Sequence, residues 1–155
     1  MPALSGLQTL LAGLAYVYAG VSLLHSPASF LQKLAPLTIL IEDHLDVKPY
    51  VAVDEGLAGV GVGLVFIGYF FVMAVYTNDA KFKHNSVSGR LLAAFASYYA
   101  CTQTPYGSSL VALLGLFNLA SGALLGLSIG FGDGNVVDLE LKKRVEARRR
   151  AEGKK

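Results

Sequence analysis

An adjacent pair of carboxylates, Asp54 and Glu55, is the most chemically suggestive feature of this 155-residue sequence. The pair leads directly into an uncharged run, residues 56–78, which as a helix is long enough to cross a hydrocarbon core about 30 Å thick. At the edge of hydrocarbon the charged form of a carboxyl group is disfavoured, and two neighbouring carboxylates oppose double ionisation. One acid can therefore stay protonated while the other is charged, which suits general acid and base chemistry.

Other polar side chains are expected to gather near this pair. An antiparallel bundle of four membrane-spanning helices brings a set of rim residues to the same side of the membrane. These are His25, His44, Asp54, Glu55, Tyr98, Tyr99, Thr102, Gln103 and Tyr106. Four residues are candidates to orient a substrate oxygen or a water: Tyr99 and Gln103, which share a helical face, and Tyr16 and Asn118, which lie somewhat deeper.

Each candidate also has a simpler interpretation. Carboxylates in the first turn of a helix favour the positive end of its dipole and cap free N–H groups. Tyrosines at a membrane rim form the usual aromatic belt, and an asparagine beside glycines makes hydrogen bonds between helices. The histidines lack the spacing of a metal site and are expected to be solvated loop residues, so no metal is predicted. The sequence leaves the catalytic and the structural interpretations of Asp54 and Glu55 open.

The pattern of uncharged tracts predicts an all-α, polytopic membrane protein with four transmembrane helices running up and down. The spans are expected at residues 3–24, within the stretch 49–76, at about 87–103 and at about 109–131, where Pro105 and Gly107 favour a turn before the last. A short interfacial helix is predicted at Pro27 to Leu34, stopped by Pro36. Residues 37–49 would then form a cap over the bundle mouth.

Composition and charge support the same class of protein and suggest its orientation. The chain is 54% hydrophobic and only 15% charged, whereas a soluble domain usually carries about a quarter charged residues. Residues 1–135 form the predicted transmembrane domain, and residues 136–155 a basic tail beside anionic lipid. Lysine and arginine concentrate in the tail and second loop, which predicts cytoplasmic termini, with the endoplasmic reticulum as the default location.

Glycines recur along the predicted spans and indicate where helices approach closely, so partner helices are expected along them. The first span has Gly6, Gly13 and Gly20, the second Gly56, Gly59 and Gly63, and the fourth Gly122, Gly126 and Gly130 in line with Asn118. The second set shares a face with Glu55, which predicts that Glu55 points into the bundle. Arg90 lies about one turn inside the third span, where its side chain is expected to extend toward lipid headgroups.

Several classes of function lack their sequence signatures. The chain contains no phosphate-binding loop, dinucleotide fingerprint, CxxC pair or nucleophile elbow, so no cofactor is expected. The basic tail has no interleaved aromatic residues, so no nucleic-acid partner is expected. The predicted partners are the lipid bilayer and a lipophilic small molecule.

Residues 11–34, LAGLAYVYAGVSLLHSPASFLQKL, resemble the opening helix of DoxX-like small four-helix membrane proteins, with a glycine near the helix end, a leucine pair and a proline. The chain also resembles small multi-pass proteins among fungal polyketide and terpenoid tailoring enzymes. That similarity rests on size, span number and the acidic pair Asp54-Glu55-Gly56. It implies epoxide opening or cyclisation, without assigning a role to any residue.

Two hypotheses follow for function. In the first, the chain is a cofactor-independent membrane enzyme, a hydrolase or cyclase acting on a polyketide-like or terpenoid-like substrate. One of Asp54 and Glu55 would protonate the leaving oxygen, and the other would activate a water or an internal hydroxyl. In the second, the chain is a non-catalytic accessory protein that assembles with partner membrane enzymes.

Overall fold

The chain folds into helices joined by short connections. This computed structural model describes residues 2–50, 54–131, 143–147 and 149–150, and of these the side chains of residues 2, 3, 54 and 55 lie outside the description. The helices are α1 (Pro2–His25), α2 (Pro27–Leu45), α3 (Asp54–Tyr76), α4 (Ala80–Gln103) and α5 (Ser109–Ile129). No strand occurs in the described part of the chain. The prediction of an all-α protein is confirmed.

Three of the described helices are long and apolar enough to cross a membrane: Leu4–His25, Gly56–Tyr76 and Ser109–Ile129. They correspond to the first, second and fourth predicted spans, so the chain is a membrane protein by helix length and composition. Helix α4, which contains the third predicted span, is less apolar because Lys81, Lys83 and Arg90 lie in its first half. It begins at Ala80 rather than near Val87, since the side chain of Asp79 caps it by accepting a hydrogen bond from the Phe82 N–H at 2.9 Å.

Helices α1 and α3 pack antiparallel through glycines on both sides. A Cβ atom on Gly20 would lie 2.6 Å from the carbonyl oxygen of Gly61, and one on Gly68 would lie 2.6 Å from that of Gly13. Two backbones this close leave no room for side chains, as the spacing of Gly13 and Gly20 predicts.

The other predicted glycines of these two helices do not contact a neighbouring helix of this chain. Gly56, Gly59 and Gly63 face open space, and so does Gly6. Helix α3 contacts α1 through Gly61 and Gly68, which are one heptad apart like their partners, and this places the predicted stripe on the outer face.

Helices α4 and α5 form a second antiparallel pair. A Cβ on Gly115 would lie 2.6 Å from that of Ser97, and a Cβ on Gly122 would lie 3.0 Å from that of Arg90. The predicted stripe of α5 thus contacts a partner helix at Gly122. Gly130 instead ends the helix with a positive φ of 97°.

Helix α2 is longer than predicted. It runs from Pro27 to Leu45 and continues through Pro36, although a proline inside a helix removes one backbone hydrogen bond. The apolar face that begins at Phe30 and Leu34 continues to Ile41, which is buried. The loop that follows α2 is hydrogen-bonded to the start of α5, because the N–H of Ser109 donates to the carbonyl of Lys48 at 2.9 Å.

The C-terminal tail is described only in part. Residues 143–147 and 149–150 are helical, and the remainder of the predicted tail at 136–155 lies outside the described residues, as does the predicted domain boundary at 135.

Candidate functional site

A cleft of about 380 Å³ lies between α3 and α4. The two helices meet at the Phe71 and Phe82 rings, whose centroids are 5.6 Å apart, and both rings form part of the cleft wall. Its walls are mostly apolar. The lining residues are Tyr16, Leu64, Ile67, Phe71, Phe82, Asn85, Ser86, Gly89, Arg90, Ala93, Leu114 and Asn118. One side is open, since Ile67 is 45% exposed.

Tyr16 and Asn118 meet at the inner wall of the cleft. The Tyr16 hydroxyl donates a 2.7 Å hydrogen bond to Oδ1 of Asn118, and both residues are 5% exposed. The Tyr16 ring stacks on Phe71 and meets Phe117 edge-on, which fixes its direction. Asn118 Nδ2 donates to the carbonyl of Leu114 at 2.9 Å, so both ends of the amide are used.

Arg90 forms the third polar part of the wall and is only 2% exposed. Its guanidinium carbon lies 4.4 Å from the centre of the Phe71 ring, a cation–π contact, and Nη1 donates to the carbonyl of Ser121 at 3.3 Å. Nε and Nη2 are buried and have no hydrogen-bond partner among the described residues. The prediction that this side chain extends to the headgroups is wrong, because it packs inward between α3 and α5.

The candidate residues predicted from sequence fall into separate places. Tyr16 and Asn118 lie together in the cleft, whereas Tyr99 is 55% exposed, Gln103 is exposed, and neither lines it. Asp54 and Glu55 form the first turn of α3, and their side chains lie outside the description. Leu64, the first α3 residue of the cleft, is about 15 Å further along the helix axis at 1.5 Å per residue. The cleft and the acid pair therefore occupy different levels of the molecule.

A smaller depression of about 210 Å³ lies nearer the rim where the polar residues were expected. Tyr98, Cys101 and Thr102 of α4 contribute to it together with Leu45 at the end of α2. His44 is exposed, and its Nδ1 lies 2.9 Å from the carbonyl of Leu40 within α2. The described rim residues are thus not assembled around one cavity.

The sequence interpretation missed Arg90 as part of a site, because no pattern in α4 singles it out. Ser86, Ala94 and Ser97 share its buried face, but small residues also lie on the exposed faces of α4, among them Ser88, Gly89 and Ala96. Phe71 carries no signal either, because aromatic residues occur all around α3.

Taken together, the fold and the cleft define an all-helical membrane protein with a polar cluster buried among its helices. Comparison with known protein families, curated proteins and solved structures finds no match to this chain.

Proposed function

We propose that the chain is a four-span integral membrane protein that binds a lipophilic small molecule in the cleft between α3 and α4. The fourth crossing would be α4. Its antiparallel packing on α5 supports this, and so do the large apolar side chains on its outer face, with Leu92 68% and Phe95 65% exposed. Helices α1, α3, α4 and α5 would then alternate in direction, with α2 in the first loop.

The observation that carries the proposal is that Tyr16, Asn118 and Arg90 lie together at the inner wall of a mostly apolar cleft. Apolar pockets with a few fixed polar groups are the usual form of a small-molecule site. The charge bias of the loops and tail supports cytoplasmic termini, and the endoplasmic reticulum remains the default location.

Chemistry on the bound molecule is a further part of the proposal. The resemblance to DoxX-like proteins and to small fungal tailoring proteins suggests epoxide opening or cyclisation of a polyketide-like or terpenoid-like substrate by Asp54 and Glu55. Because these acids lie about 15 Å along α3 from the first cleft residue, a substrate held at Arg90 would have to extend along the helix to reach them. Asp54→Asn and Glu55→Gln are expected to abolish product formation without reducing membrane insertion. Full activity in both variants would contradict catalysis by Asp54 and Glu55.

One observation favours a second candidate function, that of an accessory protein for partner membrane enzymes. Gly56, Gly59 and Gly63 face open space on the outer side of α3, so a helix of another protein can approach there closely. This function would use the outer face of α3 and would leave the cleft unused.

Occupancy of the purified protein tests binding directly. We propose mass spectrometry of organic extracts from the wild type, from Gly89→Leu and from Gly59→Leu. Gly89 lines the cleft and a Cβ there meets nothing within 4 Å, so a leucine can be introduced without a clash at its Cβ and is expected to occupy cleft space. Gly59 is equally open but lies on the outer face of α3. A lipophile present in the wild type and Gly59→Leu and depleted in Gly89→Leu supports the site. Equal amounts in all three proteins would contradict it.

A further inference from the structure

Arg90 is the one member of the cleft cluster whose hydrogen-bonding capacity is conspicuously unused. Tyr16 donates to Asn118, and Asn118 Nδ2 donates to Leu114, so the side-chain donor atom of each residue has a partner within the protein. Arg90 uses Nη1 alone, and its buried Nε and Nη2 have no partner among the described residues. A buried guanidinium with unused N–H groups is costly, and intramembrane charges normally pair with another group.

The two unused nitrogens have a specific geometry. Nε–H and one N–H of Nη2 lie along the same edge of the planar guanidinium and point in the same direction. This edge matches the two oxygens of a carboxylate or a phosphate, which accept both bonds side by side. Among the described residues no carboxylate pairs with Arg90, whose guanidinium bonds to the Ser121 carbonyl and lies over the Phe71 ring.

The depth of Arg90 distinguishes between these two anions. The guanidinium lies level with Ser121, about 12 Å from the end of α5 at 1.5 Å per residue, and so well inside a hydrocarbon core about 30 Å thick. A phosphate headgroup with its attached polar groups is strongly hydrated, whereas a lone carboxylate on an apolar chain loses less hydration on entering the cleft. The apolar wall residues Leu64, Ile67 and Ala93 would then contact the chain of the acid.

We infer that the molecule bound in the cleft is a lipophilic carboxylic acid whose carboxylate pairs with the Nε and Nη2 edge of Arg90. Both nitrogens are buried in this structure, so the pairing requires the guanidinium to turn this edge toward the cleft. This inference rests on the proposed function and adds the chemical class of the ligand. It predicts that charge on the ligand, and not only its length, controls affinity.

A single-tryptophan reporter tests the inference, because the chain contains no tryptophan of its own. Phe82→Trp places the reporter in the cleft, and Phe66→Trp, at a site that is 61% exposed, reports on the surrounding lipid. The probes are dibromostearic acid, dibromostearyl alcohol and a lysophosphatidic acid with a dibromostearoyl chain, whose bromines quench tryptophan. Titrations are made in nanodiscs at about pH 9, where the carboxyl group is ionised even at a membrane surface.

The acid is expected to quench the cleft reporter at a concentration about tenfold lower than the alcohol, as a charged hydrogen-bonded pair requires. In Arg90→Gln the preference should fall to about twofold or less, and Arg90→Lys should retain part of it. The lipid-facing reporter should show no preference. The comparison of probes in the otherwise unchanged protein needs no Arg90 variant, so a folding defect at this position does not prevent the test.

Each of the following outcomes would contradict either the carboxylate inference or the proposed cleft site. Equal, saturable quenching of the cleft reporter by acid and alcohol would contradict the carboxylate and leave the proposed cleft function standing. Quenching of the cleft reporter that never exceeds that of the lipid-facing reporter would contradict both. Tighter binding of the lysophosphatidic acid than of the fatty acid would overturn the carboxylate and assign the edge of Arg90 to a phospholipid headgroup.

Discussion

The hydroxyl of Tyr16 donates a 2.7 Å hydrogen bond to Oδ1 of Asn118, and this bond joins α1 to α5. The two residues are 102 positions apart in sequence and are both 5% exposed. Since each helix also has a separate partner, α1 with α3 and α5 with α4, the bond connects two antiparallel pairs at the level of the cleft.

Removing this hydroxyl should weaken the connection between the pairs. Tyr16→Phe keeps the ring contacts with Phe71 and Phe117 but leaves the Asn118 oxygen without its donor, and we expect a loss of about 1 kcal/mol of unfolding free energy. The measurement is unfolding in mixed detergent micelles. Tyr18→Phe is the matched control, because Tyr18 is 59% exposed, and it should unfold like the wild type. Equal stability of the two variants would show that the bond contributes little.

The glycine contact between α1 and α3 predicts a sharp difference between two small substitutions. In Gly20→Ala the new methyl would lie 2.6 Å from the carbonyl oxygen of Gly61, so the helices must separate at a cost of about 1–3 kcal/mol. Gly59→Ala enters open space and should be neutral or slightly stabilising, since alanine favours helix. Thermal unfolding of both variants checks this. A destabilised Gly59→Ala beside an unaffected Gly20→Ala would mean that α3 packs on α1 through its other face.

Phe71 is expected to stabilise the fold through its cation–π contact with Arg90. Phe71→Leu removes the aromatic face 4.4 Å from the Arg90 guanidinium, and we expect a loss of about 0.5–2 kcal/mol in unfolding free energy. Repeating Phe71→Leu in an Arg90→Met background isolates the cation–π contribution, because the part of the destabilisation that depends on Arg90 should be absent there. Phe70→Leu, at a site that is 54% exposed, serves as the control. The same cost with and without the arginine would assign the effect to lost packing.

The four-span arrangement predicts opposite accessibility for the first and second loops. In a Cys101→Ala background, cysteines placed at His44 and Lys81 should react with an impermeant thiol reagent from opposite sides of a sealed vesicle. Lys81 should share the cytoplasmic side with the termini, because positive charge concentrates there. Labelling of both positions from one side would leave α3 unable to span and would contradict the arrangement.

Sequence patterns located the three apolar helices, but they made α2 and the start of α4 too short and did not orient the helices. Charge-free tracts and the turn at Pro105 and Gly107 placed the end of α4 and the start of α5 correctly, because these signals are local. The contact face of α3 was assigned wrongly, because its glycines offer two alternative stripes and only packing against Gly13 and Gly20 selects Gly61 and Gly68.

The residues of the candidate site were likewise predicted only in part. Tyr16 and Asn118 were assigned to the interior because each lies beside glycines, and they do meet there. Arg90 was assigned to the headgroups from its position near a helix end, but α4 begins earlier than its apolar tract and this places the arginine inside. The position of Asp54 and Glu55 relative to the cleft depends on which residues of α3 and α4 enclose it, and no local pattern encodes this.

Photolabelling with a neutral lipophile tests the central claim, binding in the cleft, most directly. A stearyl alcohol carrying a diazirine in its chain is irradiated with the protein in nanodiscs, and the labelled residues are mapped by mass spectrometry. We predict labelling at the cleft residues Leu64, Ile67 and Ala93, suppressed by excess unlabelled alcohol and by Gly89→Leu. Labelling that instead follows lipid exposure, concentrated on Leu92 and Phe95 and insensitive to competitor, would contradict the claim.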